Sequence, residues 1–163
     1  VTDFKALVRA LADAGVEFIL VGGVAAIAHG SARLTRDVDV VYRRSPDNLG
    51  RLVLSLAPYH PYLRGAPPGL PFRWDQATLQ RGLNFTLTTD LGSLDLLGEI
   101  TGGGRYEDLL PGTLRIQIYG VECHCLNLEQ LIHVKRAAGR PRDLEAIAEL
   151  EVIRDERRRA ENR

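Results

Sequence analysis

The chain has 163 residues, 45% of them hydrophobic and 26% charged, which fits one ordinary globular domain with its own core and excludes a chain too polar to fold. Its 21 basic and 21 acidic residues cancel, which argues against an extended nucleic-acid footprint and leaves room only for a local basic patch. The longest apolar run, from Phe18 to Ala28, is broken by Gly22 and Gly23 and is too short to cross a bilayer, so no membrane partner is expected.

Apolar residues at Phe4, Leu7, Val8 and Leu11 have helical spacing, and predict a helix over Asp3–Ala14 capped by Thr2 or Asp3 and ended by Gly15. Asp3, Lys5 and Arg9 also interrupt the apolar run that a signal peptide needs. Glu17–Val21 reads as a short strand ending at Gly22-Gly23, followed by an alanine-rich helix over Val24–His29. Asp37–Tyr42 reads as a strand and Pro46–Leu56 as a helix. Pro58–Gly82 holds five of the eight prolines and the only tryptophan. It predicts a long loop with one helical turn at Asp75–Gln80, whose aromatics form a satellite hydrophobic cluster.

Asn84–Thr89 and Ser93–Leu97 predict a hairpin around Asp90-Leu91-Gly92, and Leu114–Ile118 with Val121–Leu126 a second one around Tyr119-Gly120. The cysteine pair Cys123 and Cys125 does not resemble a secreted disulfide framework, so a cytoplasmic protein is expected. Strand alternation puts both thiols on one face with His124 on the other, which reads as packing rather than a zinc site. Asn127 caps a helix that ends at Gly139, and Pro141 opens a last helix whose end, from Arg154, is almost wholly charged. The order predicts an α/β (α+β) domain with a mixed sheet, a core over about residues 1–126 and a C-terminal helical part over 127–163, in one domain.

Three features carry chemistry together. Gly22-Gly23 ends a strand before a helix, where glycine lets the backbone approach a phosphate. Asp37 and Asp39 are two residues apart on a strand, so both carboxylates share one face and repel. A divalent cation relieves that repulsion, and Mg²⁺ favours one or two carboxylates plus substrate phosphates. Asp95 lies inside the apolar run Ser93-Leu94-Asp95-Leu96-Leu97, where a carboxylate is costly unless paired or bound to metal. If its strand neighbours the Asp37–Asp39 strand, the three acids make a site able to hold two metals.

Val21-Gly22-Gly23, His29-Gly30 and Arg33-Leu34-Thr35-Arg36-Asp37-Val38-Asp39 resemble the signature of minimal nucleotidyltransferases of the DNA polymerase β superfamily. More narrowly, Lys135 with Arg140-Pro141-Arg142-Asp143 resembles the Lys-x₄-Arg-x-[Lys/Arg]-Asp pattern of its bacterial toxin–antitoxin and abortive-infection branch. The resemblance implies a polymerase β-like fold and transfer of a nucleotide from an NTP to an acceptor hydroxyl, with Mg²⁺ or Mn²⁺ held by Asp37, Asp39 and Asp95. It implies that Asp95 serves as general base, that Gly22 and Gly23 cradle phosphates, and that Lys135 reaches the nucleotide. Many superfamily members carry Gly-Ser where this chain has Gly22-Gly23; the missing hydroxyl shifts triphosphate binding to backbone N–H groups or to Ser31, Arg33 and Thr35. Arg142 and Asp143 are expected to position the C-terminal helices. The implied acceptor is tRNA, for a toxin, or a cognate toxin protein, for an adenylylating antitoxin. A non-catalytic module of the same fold and a drug-modifying enzyme are the competing readings.

Overall fold

A computed structural model describes residues 1–163. Its elements run α1 (Phe4–Asp13), β1 (Phe18–Val21), α2 (Gly22–Ala28), β2 (Asp37–Tyr42), α3 (Pro46–Leu56), β3 (Tyr62–Leu63), α4 (Gln76–Arg81), β4 (Asn84–Thr89), β5 (Gly92–Leu97), α5 (Tyr106–Leu109), β6 (Thr113–Ile118), β7 (Val121–Leu126), α6 (Leu128–Ala138) and α7 (Pro141–Glu161). The caps follow from side-chain chemistry: Asp3, Ser45, Asp75 and Asn127 each accept a backbone N–H from the first turn of the helix they precede. Asp3 therefore caps α1. Thr2 instead ties the residue before β2 to the start of β5, donating to the Arg36 carbonyl and accepting from the Ser93 N–H.

The seven strands form one mixed sheet in the order β3-β4-β5-β2-β1-β7-β6. β1 pairs antiparallel with β2, and β2 pairs parallel with β5. Alternation along β2 sends Val38 and Val40 into the core at 0% exposure, and Asp37 and Asp39 to the opposite face. One continuous core of 34 residues runs through the sheet and both groups of helices. α1, α3 and α4 pack on one another, while α2, α6 and α7 form the second group. No helix is long and apolar enough to cross a membrane.

The segment expected to be a long loop is more structured than its composition suggests. It contains a 3₁₀ turn at Ala57–Tyr59, the edge strand β3 and helix α4. Tyr59, Leu63, Phe72 and Trp74 pack against the core, as a satellite cluster does. The Trp74 indole N–H donates to the Val53 carbonyl, and Tyr62 meets Phe72 edge to face. A two-residue strand is too short to leave a period in the sequence. The short helix α5 was likewise not legible. Cys123 and Cys125 are both buried and unpaired, and burial raises their thiols to about 11 and about 12.

Candidate active site

The pairing of β2 with β5 decides the site. Asp37 is in register with Ser93, and Asp39 with Asp95. This register brings Asp37, Asp39 and Asp95 together on one face of the sheet. β1 pairs Val21 with Asp39, so the chain turns into α2 directly beside that carboxylate. Gly22 makes the turn at φ +64°, and a Cβ there would sit 2.1 Å from Asp39 Oδ2. A Cβ on Gly23 would sit 2.5 Å from the Thr35 hydroxyl oxygen and 2.6 Å from its Cβ. Neither position has room for a side chain.

Burial raises Asp39 to about 7, helped by a hydrogen bond and charge repulsion from Asp95, by the charge of Asp37, and against the nearby Lys135 ammonium. Lys135 is itself pulled down by desolvation, which outweighs the attraction of Asp143 and Asp39. These opposed shifts mark a crowded, partly dry site in which negative charge is in excess. A divalent cation fits that chemistry: the donors are hard oxygens and the repulsion between them is what a cation removes. No group of three His, Cys, Asp or Glu side chains is arranged to hold a metal ion by itself.

Asp95 is not left bare in its apolar strand. Arg64, just past β3, donates from Nη2 to Asp95 Oδ1 at 2.8 Å and lies 3.8 Å from Asp37 Oδ1 through Nη1. The expectation that this carboxylate needs a metal or a partner is met by an arginine that sequence reasoning missed.

The remaining expected residues line a cleft of about 510 Å³ next to the acids. Ser31 is buried and donates its hydroxyl to Glu149, which also accepts the Ala32 N–H. Arg33 faces Glu145 at 3.5 Å. In this structure α7 thus occupies the donors of Ser31 and Arg33. Thr35 packs on Gly23 and donates to the Asp37 carbonyl. Lys135 borders both this cleft and a second, adjoining cavity of about 420 Å³. That cavity runs between Leu97, Glu99 and Ile100 and the α6 residues Leu131, Val134 and Ala138. Asp143 does hold the C-terminal helices, but its partner is Arg140: Asp143 is 2% exposed and accepts the Arg140 N–H and guanidinium at the start of α7. Arg142 lines the cleft instead. His29 is a buried tie between α2, β7 and α7.

No protein-family model and no curated protein sequence matches the chain. Solved structures do. The lincosamide antibiotic adenylyltransferase LnuA, in its lincomycin-bound crystal structure, superposes with a TM-score of 0.60 at 16% identity, over 93% of this chain and 98% of that one. A Thermotoga maritima protein, TM1012, assigned as a nucleotidyltransferase, superposes with a TM-score of 0.55 at 14% identity, over 88% of this chain and 89% of that one. At such identities the likeness is one of fold. Together with the mixed seven-stranded sheet, it shows that the chain has the nucleotidyltransferase fold.

Proposed function

We propose that the protein transfers an NMP from an NTP to an acceptor hydroxyl with release of pyrophosphate, using Mg²⁺ or Mn²⁺. The observation that carries this reading is the register of Asp39 with Asp95 across β2 and β5, with Asp37 beside them and the crowded Gly22-Gly23 turn against Asp39. When bound, the cation supplies Lewis-acid charge at the reacting phosphate and lowers the pKa of the attacking hydroxyl. Asp37, Asp39 and Asp95 hold it. Lys135 offers positive charge to the nucleotide from α6, and the close-packed glycines let the triphosphate lie against backbone. Asp95, the general base that the resemblance implies, takes the acceptor proton. The acceptor oxygen then bonds to the α-phosphorus as the bond to the bridging oxygen breaks, and pyrophosphate leaves. Most of the rate comes from positioning and charge neutralisation.

The first acceptor to test is the 3′ end of tRNA, because the Lys135–Asp143 pattern resembles the toxin-like branch and Arg36 and Arg142, neither of them in an ion pair, line the cleft. A protein side chain, as for an adenylylating antitoxin, is the alternative within that branch. A second reading, transfer to a small drug-like molecule, is favoured by the adjoining cavity, whose lining includes Glu99 beyond the three central acids. The likeness to LnuA supports that reading as far as fold can.

The experiment is label transfer from each α-labelled NTP onto total tRNA, cell-extract protein and a panel of aminoglycosides and lincosamides, with Asp39→Ala and chelator controls. Label on tRNA that disappears in both controls supports the toxin-like reading. Label on protein supports the antitoxin-like one, and label on a drug the small-molecule one. No transfer from any NTP to any acceptor, by folded protein, sinks the catalytic proposal and leaves a binding module.

A further inference from the structure

Arg64 is the one cationic side chain bonded to the triad, and it comes from outside every motif that marks the site. Its approach is built into the edge of the sheet. β3 pairs Leu63 with Leu87 of β4, and the Arg64 N–H donates to the Thr86 carbonyl at 2.9 Å. Its Nη2 then donates both to the Leu87 carbonyl and to Asp95 Oδ1, each at 2.8 Å. The side chain is 29% exposed and that of Asp95 24%, so the contact is partly shielded from water. Its Nε is buried with no partner. The guanidinium is anchored on the sheet backbone as well as on the acid. It is therefore placed to remain when the other oxygen of Asp95 is engaged, rather than to swing away like a plug.

A fixed positive charge against Asp95, with Asp37 close by, opposes any further cation at that corner by Coulomb repulsion. It also holds Asp95 to one orientation and leaves a single oxygen free. We propose that Arg64 is a positioning residue and resident counter-ion that fixes Asp95 and keeps the cation on the acceptor side weakly bound until the NTP brings its own negative charge. This inference rests on the metal-dependent reading of the site. It makes the nucleotide, rather than the three acids alone, the trigger for completing the metal centre.

The test is Mn²⁺ binding followed by electron paramagnetic resonance, with and without a non-hydrolysable NTP, for the wild type, Arg64→Gln and Arg64→Lys. Arg64→Gln is expected to bind Mn²⁺ at least about tenfold more tightly without nucleotide, since the opposing charge is gone. Arg64→Lys, which keeps the charge, stays near the wild type. In turnover, the half-saturating Mg²⁺ concentration falls in Arg64→Gln while KM for the NTP stays within about twofold. A merely structural arginine would change thermal stability without tightening metal binding. Unchanged or weaker Mn²⁺ binding by folded Arg64→Gln overturns the proposal. Should that variant fail to fold, the wild type decides: a low-micromolar Mn²⁺ site without nucleotide overturns it, and a site that tightens only with nucleotide supports it. If neither wild type nor variant binds Mn²⁺ even with nucleotide, the metal-dependent function itself fails, a result distinct from Mn²⁺ binding that ignores Arg64.

Discussion

Asp39 of β2 and Asp95 of β5 are register partners in a parallel strand pair, and burial together with the neighbouring Asp95 pushes the Asp39 carboxyl up to about 7. Two acids do not adopt that arrangement for stability. Asp39 is costly to bury charged, and the charges of Asp95 and Asp37 make it harder to ionise.

Asp39→Asn tests that conflict directly. The amide can donate to Asp95 and removes one of three converging charges, so the metal-free protein should melt at a higher temperature than the wild type. NMP transfer should fall by at least about a hundredfold, the scale of losing one preorganised electrostatic contact. Differential scanning fluorimetry and pyrophosphate release read the two effects. A variant both less stable and fully active would remove Asp39 from the site.

His29 gives the fold a pH dependence of its own. Its Nε2–H donates to the Leu126 carbonyl at 2.7 Å, so Nδ1 is the bare nitrogen that accepts from Arg157 at 3.1 Å. Arg157 also donates to the His29 carbonyl. Desolvation and the Arg157 charge lower the pKa of His29, against the Leu126 bond, which raises it. With the folded pKa below the unfolded value, the unfolded chain binds the proton more readily. The stability His29 provides is therefore present above about pH 6.5, the unfolded value, and is lost as pH falls below it. The melting temperature should drop over that range in the wild type and less steeply in His29→Gln. Equal slopes in the two proteins would show that this tie does not titrate as described.

Much of this was legible in the sequence, and the limits have physical causes. Asp37 and Asp39 announce a shared face because strand period is two, and Asp95 announces itself because a carboxylate among leucines needs a reason. Their convergence depends on β5 lying parallel to β2, which no local pattern encodes. Arg64 was invisible because two paired residues make no period. Glu145 and Glu149 were hidden because acids at helical spacing on a charged helix look like a solvated face. Only tertiary packing turns them toward Arg33, Ser31 and Ala32.

That packing predicts a link between α7 and the loop before β2. Glu149 accepts from the Ser31 hydroxyl and the Ala32 N–H, and those bonds hold its carboxyl below the usual range. Glu149→Ala should speed amide hydrogen exchange selectively across residues 31–36, leaving the β2–β5 core protected. Nucleotide should restore part of that protection if phosphate takes over the freed Ser31 and Ala32 donors. Uniformly faster exchange through the whole domain would instead mean that Glu149 supports α7 docking in general.

The Gly23–Thr35 contact is the sharpest test of how this chain manages without a serine in its glycine turn. The space a Gly23 side chain would need is already filled by the Thr35 hydroxyl and Cβ, at 2.5 and 2.6 Å from the ideal Cβ position. Gly23→Ser alone should therefore destabilise the protein by about 1–3 kcal/mol, the usual cost of overpacking, and impair turnover. Thr35→Gly alone opens the space and removes the hydroxyl expected to help hold the triphosphate, so KM for the NTP should rise several-fold by about 1 kcal/mol of lost binding. The double variant removes the clash and returns a hydroxyl to the turn. It should recover both stability and KM relative to the single variants, giving a favourable coupling energy in the double-mutant cycle. Strict additivity would mean that Gly23 and Thr35 act independently, and that the threonine does not stand in for the absent serine.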